Sequence, residues 1–311
     1  MAQLNTDTWV RAGWQGLSFT IPEDWNIGAI GGEKNEGYLR FDDPDMPRLE
    51  IKWAEAGSGA ISIESLVDKY VKDLTKGKKK NTTEVTRDCK LVSKRKLKGK
   101  KGLECFSWTA DSQGFGAAWY CPDCHRTIIL QVMGPLDQPV QQIAEEIIPS
   151  VEDHPGEWTY WATYGFEAQT PSDWKLAGQK LMAGLIELDL TREGEKLHVA
   201  RWGMANVALR HTSLEEWGQK ELSKRLKKYT TDYTVTEFRG HENILIEGRS
   251  NLPQEKIQAF YEHVRGKDFA DRVRAHLWVC PESNKIYYVE GIMDREHLDE
   301  VEAVRERMPC E

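Results

Sequence analysis

The chain has 311 residues, of which 40% are hydrophobic and 30% charged, and a net charge of −8. That length suggests about two domains with real cores, and the acidic balance argues against a surface that binds nucleic acid generically. No apolar run approaches the roughly 18 residues of a membrane span.

The first strand alternates apolar and polar residues through Leu17, Phe19 and Ile21, after which Pro22-Glu23-Asp24-Trp25 turns the chain. Two strands follow, around 38–42 and 48–53, joined across Asp43-Pro44-Asp45. Ile63, Leu66, Val67, Tyr70 and Leu74 recur at helical spacing, the stripe of a helix packed on a sheet. Antiparallel strands then cross tight turns at 98–102 and after Cys121, and Val140, Ile143 and Ile147 mark a short closing helix. The stretch 152–156 reads as a linker, short enough for the flanking modules to pack together.

The same order then begins again. Residues 16–25 (GLSFTIPEDW) align without gaps with 165–174 (GFEAQTPSDW), so Gly, Pro, Asp and Trp recur in place. Residues 37–42 (GYLRFD) answer 184–189 (GLIELD), Trp53 answers Trp202, and Ser65-Leu66 answers Ser213-Leu214. A helix capped by the box Thr212-Ser213-Leu214-Glu215 turns Leu214, Trp217, Leu222 and Leu226 inward. Trp119-Tyr120-Cys121-Pro122 matches Trp278-Val279-Cys280-Pro281, and Leu298, Val301 and Val304 close the second copy. The reading is an α+β chain of two tandem repeats, 1–151 and 157–311, each an antiparallel sheet flanked by helices. The second carries an inserted helix near 253–265, opened by Pro253 and closed by Gly266.

A strand, a Pro-x-x-Trp turn and two further strands, carried by 16–25 and 165–174, resemble the opening of the PsbP-like fold. The resemblance implies a sandwich of antiparallel sheet and helices in each copy, and a non-catalytic accessory or binding module. It carries over no site residues.

Duplication supplies an internal control, because residues kept in both copies serve what the copies share. The Trp pairs 25/174, 53/202 and 119/278 therefore read as core or turn anchors, and Cys121 and Cys280 as small buried hydrophobes. Features of one copy alone are the better functional candidates. Cys121, Cys124 and His125 make half of a zinc knuckle; with no second half nearby they read as an ordinary turn, with metal or redox chemistry as the alternative. The segment 76–101 holds twelve Lys or Arg against two acids. It reads as a solvated face or protected edge strand, with Lys94, Arg95 and Lys98 as anion contacts in the alternative. His263, Arg265 and Lys267 lie at the rim of the inserted helix and are candidates to shape a groove.

Conventional catalytic and nucleotide motifs are missing from the sequence. The expectation is a non-catalytic tandem module without a cofactor, binding a protein or small ligand in the cleft between copies. An enzyme with a site split between modules, or an anion or nucleic-acid binder using 76–101, is the rival. The start MAQLNTDTWVRAGW lacks the basic and apolar stretches of an export signal, and six cysteines are too few for a disulfide scaffold. A cytoplasmic monomer is expected, with neither membrane nor nucleic acid as partner.

Overall fold

In the computed structural model, residues 8–57, 62–75, 84–87, 91–92, 97, 99–251 and 272–310 are described. The chain divides into two compact units, Met1–Gly165 and Phe166–Glu311.

The first unit opens with the hairpin β1 (Trp9–Trp14) and β2 (Leu17–Pro22), and β10 (Trp158–Thr163) pairs with β1. Gln15 and Gly16 at the hairpin tip have φ of 52° and 82°, the two positive values that a type I′ turn requires. Its main body is a seven-stranded antiparallel sheet in the order β3-β4-β5-β9-β8-β7-β6. The strands are β3 (Asn26–Gly32), β4 (Glu36–Asp42), β5 (Pro47–Glu55), β6 (Glu84–Arg87), β7 (Lys101–Thr109), β8 (Gln113–Cys121) and β9 (Arg126–Gly134). Because successive side chains alternate faces, Ala118 and Ile129 point one way and Trp119 and Ile128 the other. Helix α1 (Ile63–Thr75) covers the first face, packing Ile63, Val67 and Tyr70 on Phe106, Trp108, Ala118 and Ile129. Helix α2 (Val140–Ser150) covers the second, burying Val140, Ile143, Ala144, Ile147 and Ile148.

The second unit contains β11 (Phe166–Pro171) and a second seven-stranded antiparallel sheet. Its strands are β12 (Lys175–Met182), β13 (Leu185–Arg192), β14 (Glu195–Gly203), β15 (Tyr229–Phe238), β16 (His241–Ser250), β17 (Arg272–Cys280) and β18 (Lys285–Met293). The order β12-β13-β14-β18-β17-β16-β15 matches the first sheet position for position. Between β14 and β15 run α3 (Ala205–Ala208), α4 (Leu214–Glu221) and α5 (Ser223–Leu226). Leu214, Leu222 and Leu226 pack there against Ala275, Leu277, Ile286 and Tyr288. Helix α6 (Asp299–Arg305) buries Val301 and Val304 on the opposite face, beside β17 and β18. Trp25 and Trp174 sit alike in their units. Each is buried, and each donates its backbone N–H to the carbonyl of the proline three residues earlier, at 3.1 and 3.2 Å.

Several expectations shift in register. The Cys121–Arg126 and Cys280–Lys285 pairs close equivalent hairpins, and counting across the sheets from them sets Trp53 against Arg201 and Ala54 against Trp202. The expected Trp53–Trp202 match is therefore one residue out, and one residue in a strand reverses the face. By the same count Leu39 and Phe41 correspond to Leu188 and Leu190, two residues from the alignment of GYLRFD with GLIELD. Ser213, not Thr212, caps α4, accepting the Glu216 N–H at 3.1 Å. The counterpart cap of α1 is Ser62, which accepts the Ser65 N–H at 3.1 Å, so Ser65 is not the match of Ser213. The single helix expected over 214–226 breaks at Leu222, where Ser223 Oγ bonds back to the Lys220 carbonyl at 2.7 Å. The stretch expected as a linker is fastened to the first unit: Glu152 exchanges two backbone hydrogen bonds with Ser18, and Asp153 is buried. The expected helix near 253–265 lies outside the described residues. Among the described residues no helix is long and apolar enough to cross a membrane.

Candidate functional site

Between α1 and the β3–β4–β5 end of the first sheet lies a cleft of about 830 Å³. Strand pairing sets its polar wall. Tyr38 lies opposite Lys52 and Glu50 opposite Gln131, so alternation brings all four to the face that α1 covers, Tyr38 and Lys52 lining the cleft and Glu50 and Gln131 standing behind them. Helix α1 contributes Leu66, Lys69, Tyr70 and Asp73 to the lining, and Ala54 and Thr127 leave the sheet side open.

Glu50 organises this wall. Its Oε1 accepts the Tyr38 hydroxyl at 2.8 Å, and its Oε2 accepts the Tyr70 hydroxyl at 3.3 Å and Gln131 Nε2 at 2.9 Å. Trp108 Nε1 donates to Gln131 Oε1 at 2.8 Å, which fixes the amide's orientation. Burial, and then the facing Glu50 carboxylate, push both tyrosine hydroxyls well above the ordinary range, so they remain protonated donors. The Lys52 ammonium lies 5.7 Å from the Tyr38 ring centroid and 5.1 Å from that of Tyr70. At this distance the two ring faces attract it and hold its charge at the cleft.

The loop bordering the cleft is held from the other face of the sheet. The Trp53 indole N–H donates to the Glu33 and Lys34 carbonyls at 2.9 and 3.1 Å. Gly37 must be glycine here, because a Cβ would stand 2.2 Å from the Trp53 ring.

The equivalent place in the second unit carries larger side chains. Trp202 stands where the first sheet has Ala54, and it meets Trp217 of α4 edge-on with centroids 5.3 Å apart. Glu290 stands where Gln131 does, 1% exposed, and accepts the Tyr288 hydroxyl at 2.7 Å and Arg225 Nη2 at 3.0 Å. Arg225 also reaches Asp189 at 3.3 Å, and His198 bonds the same carboxylate oxygen at 2.8 Å. The His198 hydrogen bond holds Asp189 below the ordinary carboxylate range against the effect of burial, and Arg225 adds to it.

Of the candidates named from the sequence, Cys121 and Cys124 come together at the β8–β9 turn and His125 does not join them. His125 has a φ of 55° and its Nδ1 lies 3.0 Å from the Tyr120 hydroxyl. The groups that do join are Asp153 and His154; ligand-capable atoms of the four residues all lie within 4.8 Å of one another. Lys94, Arg95, Lys98, His263, Arg265 and Lys267 lie outside the described residues. Of the basic segment, Arg87 pairs with Asp68 at 2.8 Å, and Lys100 donates to the Val151 carbonyl at 2.6 Å while lying 4.3 Å from the Trp119 ring centroid. Sequence reasoning missed the cleft. Its one local signal was Gln131, a polar residue inside the apolar strand Arg126–Gly134.

No protein-family model matches the chain, and no curated protein matches it. Among solved structures it is similar to cyanobacterial PsbP from Synechocystis sp. PCC 6803. The similarity covers 49% of this chain and 96% of that one, at 11% sequence identity and a TM-score of 0.33. The PsbP-like resemblance read from the sequence is thus met, at a moderate level, by a solved PsbP structure.

Proposed function

We propose that the chain is a duplicated, non-catalytic binding module whose first unit holds a small, partly apolar ligand in the cleft beneath α1. The observation that carries this is the exchange of Ala54 for Trp202 at equivalent positions: the unit with alanine has a cleft, and in the other unit the Trp202 ring packs there against Trp217. The lining suits such a ligand, with Tyr38, Tyr70, Leu66 and Ile129 offering apolar surface, Lys52 and Lys69 offering positive charge and Glu33, Glu36 and Asp73 negative charge. Glu50 accepts three hydrogen bonds, an arrangement that fits a fixed recognition wall better than proton transfer.

Identical strand order and the twin Pro-x-x-Trp turns support duplication. Two copies of a module on one chain have the valency of a dimer of single modules, which favours a monomer. Free thiols at Cys105, Cys121, Cys124, Cys280 and Cys310 fit a reducing compartment such as the cytoplasm.

The test is titration with anilinonaphthalene sulfonate, an apolar aromatic anion whose emission rises on leaving water. Saturable binding is expected for the native chain, weakened by Lys52→Glu and abolished by Ala54→Trp with the circular dichroism unchanged. Equal binding by the native chain and Ala54→Trp would refute the assignment.

A further inference from the structure

We propose that Cys121, Cys124, Asp153 and His154 form a structural zinc site that ties the β8–β9 turn to the segment following α2. This rests on residues separate from the cleft and stands or falls without it.

The sequence holds only half a ligand set at Cys121-Pro122-Asp123-Cys124; the other half comes from residues about thirty positions later. The Ser18–Glu152 backbone pair fixes where that segment runs and carries Asp153 and His154 back over the hairpin end. Cys121 Sγ lies 3.4 Å from His154 Nδ1, and Asp153 Oδ1 lies 3.0 Å from the same nitrogen. Zinc bonds of about 2.3 Å to sulfur and 2.0–2.2 Å to nitrogen or oxygen give a tetrahedron with edges of roughly 3.3–3.8 Å. These two edges, 3.4 and 3.0 Å, lie near that range. With every pair of atoms already within 4.8 Å, closing the rest needs movements of about 1 Å or less. Two thiolates with an imidazole favour zinc over calcium or magnesium, which prefer all-oxygen shells. Four protein ligands leave no open position, so the site is of the structural kind.

The surroundings are those that metal thiolates use. Arg126, 3% exposed, brings its Nε to 3.5 Å from Cys124 Sγ and donates to the carbonyl of Asp153. Trp119 Nε1 donates to Asp153 Oδ2 at 2.7 Å, which holds that oxygen and leaves Oδ1 facing His154. The other ring nitrogen of His154 lies 3.9 Å from Asp123 Oδ2, a carboxylate placed to orient the imidazole. Two thiolates, one carboxylate and Zn²⁺ sum to −1, and Lys100 and Arg126 bring positive charge beside them. The second unit has Ser283 where Cys124 stands, and its nearby group of His241, Cys280 and Cys310 offers three ligands. There Trp278 Nε1 donates to Cys310 Sγ at 3.1 Å, and Cys280 Sγ donates to the Cys310 carbonyl at 2.7 Å. One zinc per chain is therefore expected.

The experiment uses the full chain, purified without a histidine tag or chelator. Metal analysis should give about one zinc per chain, and X-ray absorption should show two sulfur and two nitrogen or oxygen neighbours. Replacement by Co²⁺ should give the intense visible bands of a tetrahedral thiolate complex. Cys124→Ser and His154→Ala should each lose the metal, and His125→Ala and Cys280→Ser should keep it. Should the loss variants fail to fold, His154→Cys is the second arm: zinc stays and the absorption spectrum gains a third sulfur. Substoichiometric zinc with no cobalt bands, or zinc retained in Cys124→Ser and lost in Cys280→Ser, would overturn the proposal.

Discussion

Replacing Arg225 by Met removes the cation that pairs with Glu290 and Asp189 in the second unit. The guanidinium lies 3.0 Å from Glu290 and 3.3 Å from Asp189, and Glu290 is 1% exposed. Asp189 reaches solvent and keeps His198, but Glu290 would be left as a buried carboxylate whose one remaining partner among the described residues is the Tyr288 hydroxyl. Breaking a buried ion pair by removing one partner is worth about 3–5 kcal/mol. Arg225 keeps 32% of its side chain exposed, which places the expected loss near the bottom of that range, about 3 kcal/mol. At roughly 2–4 °C per kcal/mol for a domain of this size, the melting transition of the second unit should fall by about 6–12 °C. Calorimetry of the full chain measures this, with hydrogen exchange in β18 identifying which transition moved. Adding Glu290→Gln removes the stranded charge and should recover more than half of the loss, because the two changes share one interaction. A fall below about 2 °C, or additive effects of the two changes, would show that the pair does not hold this face together.

Other expectations follow from single contacts. Gly116→Ala would place a Cβ 2.3 Å from Phe106 Cζ and 2.5 Å from the Leu130 carbonyl oxygen, so urea unfolding should show a loss of about 1–3 kcal/mol. Gly156→Ala meets no atom within 4 Å and should be close to neutral in the same assay. The hydrogen bond to Glu195, 2.6 Å away, raises the His297 pKa above the ordinary value despite the effect of burial. That contribution is complete below about pH 6.5 and is lost as pH rises through the raised value. His297→Gln should therefore flatten the stability profile above about pH 6.5; an unchanged slope there would contradict the pairing. The monomer proposal is checked by light scattering at micromolar concentration, where a stable dimer would count against it.

Much of the architecture was legible because periodicity survives in the residues. The alternation of Leu17, Phe19 and Ile21 and the stripe of Ile63, Val67 and Tyr70 correspond to buried faces. The Pro-x-x-Trp turn recurs because the same backbone hydrogen bond closes it twice. Strand register was not legible. Matching Trp53 to Trp202 pairs two large aromatics that look equivalent in the sequence, yet hydrogen-bond pairing sets them on opposite faces, and the difference between the units lies in that one-residue slip. The cap of α4 moved by one residue for a similar reason, since Thr212 and Ser213 both carry the hydroxyl a cap needs and only the backbone chooses between them. The cleft draws on β4, β5, α1 and β9, so no local motif announces it. The thiol pair could be read from its spacing, whereas Asp153 and His154 read as linker. Only the Ser18–Glu152 pairing returns them to the hairpin end.

The most direct test of the binding-cleft account is two-dimensional NMR of the tryptophan indole N–H groups during titration with anilinonaphthalene sulfonate. The chain has twelve tryptophans, spread over both units, and each reports its own surroundings. Trp53 is bonded to the loop bordering the cleft, and Trp108 connects to its wall through Gln131 and Glu50. Trp202 and Trp217 pack the equivalent place in the second unit. The account predicts that the Trp53 and Trp108 signals shift and saturate together with the fluorescence, with Trp202 and Trp217 unmoved. Saturating shifts at Trp202 or Trp217, with Trp53 and Trp108 unchanged, would contradict it.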